Sequence, residues 1–311
     1  MTESGATPLR RLHNVLRRLR LYWSMFCYGW SHNRDFAHEN FAFFREMRDY
    51  LIPYVGNLAG LRVLDVGCGK TMWLALLLRS CGARVTGIDT ELAAPGMSLG
   101  KYWGIFRTSG FERALRSAFW DVIYARPYYR ELERICRFPI LFDGIDVRQM
   151  NVTDLDFADG TFDLVVSHEV FEHLPDVTGA LDAIKRVMNP AAVTYIYIHN
   201  FTSISGGHHI AWKYPDTEPS TIVPPWDHLR ENLAPDIPSW INGWREHQYR
   251  EYFDRHFEIL DWIHTVREGE SLLTSETRQE LSEYSEEELL TKGFIAVARP
   301  LQESRPRETS S

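Results

Sequence analysis

Glu169, Glu172 and His173 stand at i, i+3 and i+4. On a helical turn that spacing brings two carboxylates and an imidazole onto one face, a set suited to proton transfer. His168 precedes them directly, and His208 and His209 follow Ser205-Gly-Gly207 further along the chain. Each of His168, His173, His208 and His209 carries an imidazole suited to a general base near neutral pH. A second set is Leu64-Asp-Val-Gly-Cys-Gly-Lys-Thr71, where glycines permit a tight turn and the close approach of a ligand to backbone. Asp89 lies where a carboxylate can accept hydrogen bonds from both hydroxyls of a ribose. A Walker A loop would need glycine at position 64, which is Leu64, and a dinucleotide fingerprint would need one at position 72, which is Met72. The first reading fails and pyrophosphate binding is disfavoured.

These residues need strands that end at them. Residues 61–66, 83–89, 144–151, 163–167 and 192–198 read as short Val/Ile/Leu-rich strands, with helices predicted over 72–79 and 177–188. Buried strands alternating with helices predict an α/β fold: a doubly wound, Rossmann-like sheet, mostly parallel. Residues 257–262 and 294–298 read as a final strand pair, and Ser285-Glu-Glu-Glu288 as a capping box for a helix between them.

Val63-Leu-Asp-Val-Gly-Cys-Gly69 resembles the first motif of class I S-adenosylmethionine-dependent methyltransferases. The stretch from Asp146 to His173 is similar to that family's third and fourth strands, and Met188-Asn-Pro-Ala-Ala192 to the turn before its fifth. The resemblance covers about residues 60–200 and implies an antiparallel last strand. It implies S-adenosyl-L-methionine as cofactor, with Asp65, Gly67 and Gly69 lining its methionine end, Asp89 holding the ribose, and Asn151 and Val152 the adenine. His168 would face the sulfonium, and the neighbouring Cys68 and Thr90 complete the set. Thr71 stands where a third glycine is common and Asn151 where Asp is usual, so weaker binding is expected.

E-x-x-E-H over residues 169–173 resembles the metal motif of ubiquinone-pathway O-methyltransferases and small-RNA 2′-O-methyltransferases. That likeness implies a divalent cation (Mg²⁺, Mn²⁺ or Zn²⁺) on Glu169, Glu172 and His173, completed by His208 or His209, with His199 nearer the strand end. Such an ion takes the acceptor oxygen as a ligand and favours the alkoxide. The same residues are also the ordinary helix start of metal-free relatives, in which His168, His173, His208 or His209 would be the base.

Composition bounds the rest. The 311-residue chain is 44% hydrophobic and 24% charged, as globular proteins are, and its net charge of −8 argues against a general nucleic-acid binder. Four widely spaced cysteines give neither a disulfide framework nor a zinc ribbon, so a cytoplasmic setting is expected. Residues 1–60 are expected to be N-terminal helices, 61–300 the methyltransferase domain, and 301–311 a disordered tail, with 1–7 disordered too. Arg10, Arg11, Arg17, Arg18 and Arg20 alternate with leucines at helical spacing. Such a helix can touch an anionic membrane surface, although docking on the domain is the favoured expectation.

The chain is 13% aromatic, and much of that sits in two additions, 91–142 and 200–253. The first is expected to be a helical cap insertion with arginines facing an anionic acceptor. The second carries the acceptor contacts: Trp226, Asp227, His228 and Arg230 either build a polar wall against a sugar ring or pack a loop. Its G-G-H-H and P-P-W-D-H-L-R layout resembles bacterial methyltransferases associated with surface glycans or glycolipids, which makes a sugar hydroxyl the expected acceptor. The alternatives are a small phenol, lipid or quinone hydroxyl and, from another class, a non-catalytic cofactor-binding scaffold.

Overall fold

Arg-Val-Leu-Asp-Val is apolar on both faces apart from one aspartate, and it forms the central strand β1 (Arg62–Val66), buried from Val63 onward. The computed structural model describes residues 8–90, 99–230 and 240–301. The predicted tails, residues 91–98 and residues 231–239 lie outside the described residues. The chain divides into two units, one of Met47–Ala93 with Leu141–Ser311 and the other of Met1–Glu46 with Ala94–Ile140.

The first unit holds a seven-stranded sheet: β1, β2 (Arg84–Asp89), β3 (Asp146–Gln149), β4 (Phe162–His168), β5 (Met188–His199), β6 (Phe257–His264) and β7 (Gly293–Pro300). Their spatial order is β3-β2-β1-β4-β5-β7-β6, with β7 antiparallel to both of its neighbours and the β3-to-β5 ladders parallel. The predicted doubly wound sheet with an antiparallel last strand is therefore present. The order reverses between β1 and β4, and in such sheets ligands bind beyond the carboxyl ends at that reversal. In register, Val66 pairs with both Ile88 and Ser167, and His168 with Tyr197, so the candidate residues leave the sheet at one level.

The helices are numbered along the chain: α1 (Pro8–Val55), α2 (Trp73–Ser80), α3 (Leu99–Trp120), α4 (Arg126–Cys136), α5 (Val177–Val187), α6 (Glu246–His256), α7 (Ser275–Glu280) and α8 (Glu286–Leu290). α5 buries Val177, Ala180, Leu181, Ile184 and Val187, a stripe of helical period, and Asp176 caps it by accepting from the Gly179 N–H at 2.8 Å. α8 carries the predicted capping box of Ser285 and Glu288, and Arg245 clasps the same Glu288 with Nε and Nη2 donating to its two oxygens at 2.7 and 2.8 Å. The end of α1 from Met47 belongs to this unit, where the Tyr50 hydroxyl donates to Asp261 on β6.

The second unit is helical. It holds the part of α1 up to Glu46, whose arginine-rich N-terminal side chains lie outside the described residues. α3 is two helices merged across Gly110, whose φ of 85° breaks the run, and a π-helical turn joins it to α4. Tyr128 and Leu132 are buried in this unit, and Asn40 donates to the Tyr128 hydroxyl at 2.7 Å. Not all its aromatics pack: Trp103 is 60% and Phe111 68% exposed. No helix among the described residues is long and apolar enough to cross a membrane.

Candidate functional site

The glycine loop leaves β1 with Gly67 at φ 71° and Gly69 at φ 62°, conformations that favour glycine. The Gly67 and Cys68 N–H groups both donate to the Ile88 carbonyl, at 2.8 and 3.1 Å, which ties the loop to the end of β2. Asp89 Oδ2 accepts the Gly69 N–H at 3.0 Å, so the predicted ribose carboxylate also shapes the loop. Met72 caps α2 in the left-handed region at φ 46°, a conformation costly for a residue with a side chain. Asp65 is buried, which raises its pKa to about 7; an N–H from Ala75 in the first turn of α2 opposes the rise and Asp89 adds to it. Its Oδ2 has no hydrogen-bond partner.

The remaining predicted cofactor residues differ in placement. Cys68 turns inward, and burial pushes its thiol above the usual range. Thr90 is exposed, and its carbonyl accepts from the Gln149 amide at 2.9 Å. Asn151 is exposed with its Oδ1 on the Thr153 N–H at 3.1 Å, whereas Val152 is buried in the core.

Beyond β4, the His168 ring meets Trp73 edge-on at 5.2 Å and lies 4.8 Å from the Tyr197 ring. Desolvation lowers its pKa against the opposing pull of Glu169. The predicted helical face does not form here. The Glu169 N–H still pairs with the Tyr197 carbonyl at 3.2 Å, prolonging the strand, and Glu169 then flips to φ 54°. Only Phe171–His173 make a single 3-10 turn. Val170 is brought against the glycine loop by this reversal: a Cβ on Gly67 would stand 2.3 Å from Val170 Cγ2.

The reversal places Glu172, 1% exposed, inside the fold with His199 and His208, and one donor atom from each lies within 4.8 Å of the others. His208 Nε2 is 3.7 Å from Glu172 Oε1, and His199 Nδ1 is 3.7 Å from Glu169 Oε1. Both Glu172 oxygens, His199 Nδ1 and His208 Nε2 are buried without a hydrogen-bond partner. Burial, reinforced by Glu169, pushes the Glu172 pKa well above the carboxylate range, and burial holds His199 well below the imidazole range. Desolvation brings His208 down to about 4 although Glu169 pulls the other way.

Of the predicted metal set, the structure thus joins Glu172 to His208, with Glu169 beside them. His173 stands at the edge: its Nδ1 bonds the Trp240 carbonyl at 2.9 Å and its ring lies 4.8 Å from that of His208. His209 is set apart, because its Nδ1 accepts the Ala211 N–H at 3.0 Å and caps a short turn. The third member is His199, the residue following the predicted 192–198 strand. Its signal in the sequence is its position, since a side chain at the carboxyl end of a central parallel strand faces the ligand crevice. Gly206 and Gly207 let the following loop fold back tightly: a Cβ would stand 2.3 Å from the Asn200 carbonyl oxygen on one and 2.6 Å from His228 Cγ on the other.

Of the two readings of the Trp226–Arg230 segment, polar wall or packed loop, the structure shows the packed loop. Trp226 is fully buried with its Nε1–H on the Leu289 carbonyl at 3.2 Å, His228 Nε2 bonds the Phe201 carbonyl at 2.8 Å, and Arg230 pairs with Glu280. Asn242 straps the 3-10 turn by donating to the Glu172, Phe171 and Leu174 carbonyls at 2.8, 2.7 and 3.0 Å.

A loop of this form beside an acid-and-imidazole cluster at the reversal of a 3-2-1-4-5-7-6 sheet defines a methyltransferase-type domain. The family described as methyltransferase domain matches residues 36–260, and the chain belongs to it. It is similar to the sterol 24-C-methyltransferase ERG6B of Gibberella zeae, 27% identical over 211 residues, 65% of this chain and 44% of that protein. It is also similar to a ubiquinone biosynthesis O-methyltransferase of Alkalilimnicola ehrlichii, 30% identical over 143 residues, 46% of this chain and 43% of that protein. The chain spans about half the length of the curated relatives it matches. Among solved structures it resembles the 1,6-didemethyltoxoflavin-N1-methyltransferase of Burkholderia thailandensis at 15% identity and a TM-score of 0.45, over 97% of this chain and 94% of that one.

Proposed function

We propose that the chain is an S-adenosylmethionine-dependent methyltransferase that methylates a hydroxyl oxygen, with a divalent cation held by Glu172, His199 and His208. The observation that carries this reading is the set of partnerless buried donor atoms on those three residues, one turn of chain from the Gly67 loop. A buried carboxylate and two imidazoles without partners are costly to a fold unless something binds them. Mixed oxygen and nitrogen donors suit Mn²⁺ or Zn²⁺ better than Mg²⁺. The family supports methyl transfer, and O-methylation is the activity named for the ubiquinone-pathway relatives.

Methyl transfer from a sulfonium is a direct displacement, so the chain's work is alignment and control of one proton. Asp89 would hold the ribose, the Gly67–Gly69 backbone would line the methionine end of the cofactor, and His168, packed against Trp73 and Tyr197, would face the sulfonium. The bound cation would supply Lewis acidity that lowers the cost of ionising the hydroxyl. His173 accepts the proton: its Nδ1–H is committed to the Trp240 carbonyl, which leaves Nε2 as a lone-pair acceptor beside the cluster.

The acceptor is proposed to be a hydroxyl of a glycan or glycolipid, with phenol or quinol hydroxyls second. The sugar reading rests on the G-G-H-H and P-P-W-D-H-L-R layout, since Trp226 and His228 face the core and are not part of an acceptor wall. Isothermal titration with S-adenosylhomocysteine tests the cofactor, and no binding to the wild-type chain ends the reading. Methyl transfer from labelled cofactor to a panel of glycans, glycolipids and quinols identifies the acceptor; label appearing only on carbon or nitrogen overturns the oxygen assignment.

A further inference from the structure

Behind the cluster lies a second buried carboxylate that the reaction does not touch. Glu268, from the segment between β6 and β7, accepts both the N–H of Ser205 at 3.0 Å and its hydroxyl at 2.5 Å, through the same Oε1. Ser205 Oγ in turn lies 2.8 Å from His199 Nε2. All three side chains are buried.

With Glu268 ionised, as the Ser205 N–H and hydroxyl and the Lys292 charge favour against its burial, the direction of this chain follows. A serine hydroxyl has one proton, and Glu268 takes it, so Ser205 Oγ faces His199 with lone pairs only. His199 Nε2 must then carry the imidazole proton. The opposite nitrogen, Nδ1, is left with its lone pair, and this is the atom that is buried without a partner and directed at Glu169 and Glu172. At 3.7 Å, Glu169 is too far to draw a proton onto Nδ1 through a hydrogen bond of its own.

We infer that Ser205 and Glu268 are positioning residues that hold His199 in the Nε2–H tautomer and so aim the Nδ1 lone pair into the site. The inference rests on the reading of Glu172, His199 and His208 as the working cluster. A ring presenting N–H to the cluster would repel a cation and could not accept a proton, whereas the lone-pair form does either. Outer residues that orient a ligating imidazole this way commonly change metal affinity by about 10- to 100-fold. The arrangement gives the buried acid a task, and the backbone N–H of Ser205 serving the same oxygen holds Glu268 in place.

Long-range ¹H–¹⁵N spectra of the full chain labelled at histidine nitrogen report the tautomer directly, with His199 assigned by its loss in His199→Gln. The wild type is expected to show a protonated Nε2 and a bare Nδ1. Glu268→Gln, which keeps an acceptor oxygen, is expected to preserve that pattern. Glu268→Leu frees the Ser205 hydroxyl to donate to Nε2, so the proton is expected to shift to Nδ1, with Mn²⁺ or Zn²⁺ affinity by titration falling about 10- to 100-fold. A wild-type ring protonated at Nδ1, or a Glu268→Leu spectrum identical to wild type, overturns the inference. The expected tautomers in a wild type that binds neither Mn²⁺ nor Zn²⁺ leave the relay standing and remove the cation reading, so the two failures are distinct.

Discussion

Gly67 and Val170 approach so closely that a Cβ on Gly67 would lie 2.3 Å from the Val170 side chain, and this contact joins the glycine loop to the turn after β4. Gly67→Ala is therefore expected to force the two apart while placing a side chain at φ 71°. A loss of about 1–3 kcal/mol in stability should appear in denaturant unfolding, and S-adenosylhomocysteine binding should fall with it. Adding Val170→Ala removes both Cγ atoms and should recover part of each loss. Equal binding by the single variant and wild type would separate loop and turn.

Asp89 accepts from Gly69 and is the acceptor proposed for the ribose. Asp89→Ala should weaken S-adenosylhomocysteine binding by roughly 10- to 100-fold, the worth of charge-assisted hydrogen bonds. Asp89→Asn keeps one acceptor and should lose less. Calorimetry on both, alongside their melting temperatures, separates recognition from loop support.

Removal of divalent cations with a strong chelator should stop methyl transfer, and Mn²⁺ or Zn²⁺ should restore it. Glu172→Gln should keep the fold and lower turnover by on the order of 100-fold or more. Undiminished turnover after rigorous chelation would leave His173 acting alone, and His173→Ala would then be the variant that abolishes activity.

Asp65 gives a pH signature. Its folded pKa of about 7 lies above the ordinary 3.8, so between those values the folded chain holds a proton that the unfolded chain releases. Stability from this group is thus present at low pH and falls as pH rises toward 7. Asp65→Asn can still accept the Ala75 N–H but cannot ionise. Melting temperatures of the cofactor-free chain at pH 5 and pH 8 should show the wild type losing ground to the variant by roughly a few degrees. Parallel curves would show that the buried carboxyl is already compensated.

Most of the sheet was legible because its central strands are short, mainly apolar runs such as Val63 to Val66, broken only by Asp65, and Ile295 to Ala298. The glycine loop and Asp89 were legible for the same reason, since they follow from where strands end. The turn after β4 was not: i, i+3, i+4 spacing describes a helix, and nothing local announces that Glu169 takes φ 54° and turns Glu172 inward. His199 is marked in the sequence only by its place after the fifth strand and Glu268 by nothing, because their partnership depends on pairs such as Ser205 with Glu268, which are distant in sequence. The packing of Trp226 was equally hidden. An aromatic in a Pro-rich loop reads alike whether it faces a sugar or, as here, Leu289.

The antiparallel strand β7 has a consequence for when the chain becomes competent. Asn200, next to His199, donates its backbone N–H to the Lys292 carbonyl and its amide to those of Glu288 and Thr291, and Glu268 also precedes β7. The loop that carries Ser205 and His208 is therefore anchored by residues that follow it far along the chain. During synthesis from the N-terminus, the parallel strands and cofactor loop can assemble first, while the cluster waits for the C-terminal segment to emerge. A chain that has not yet reached β7 would have the glycine loop in place before the Glu172, His199 and His208 cluster is anchored.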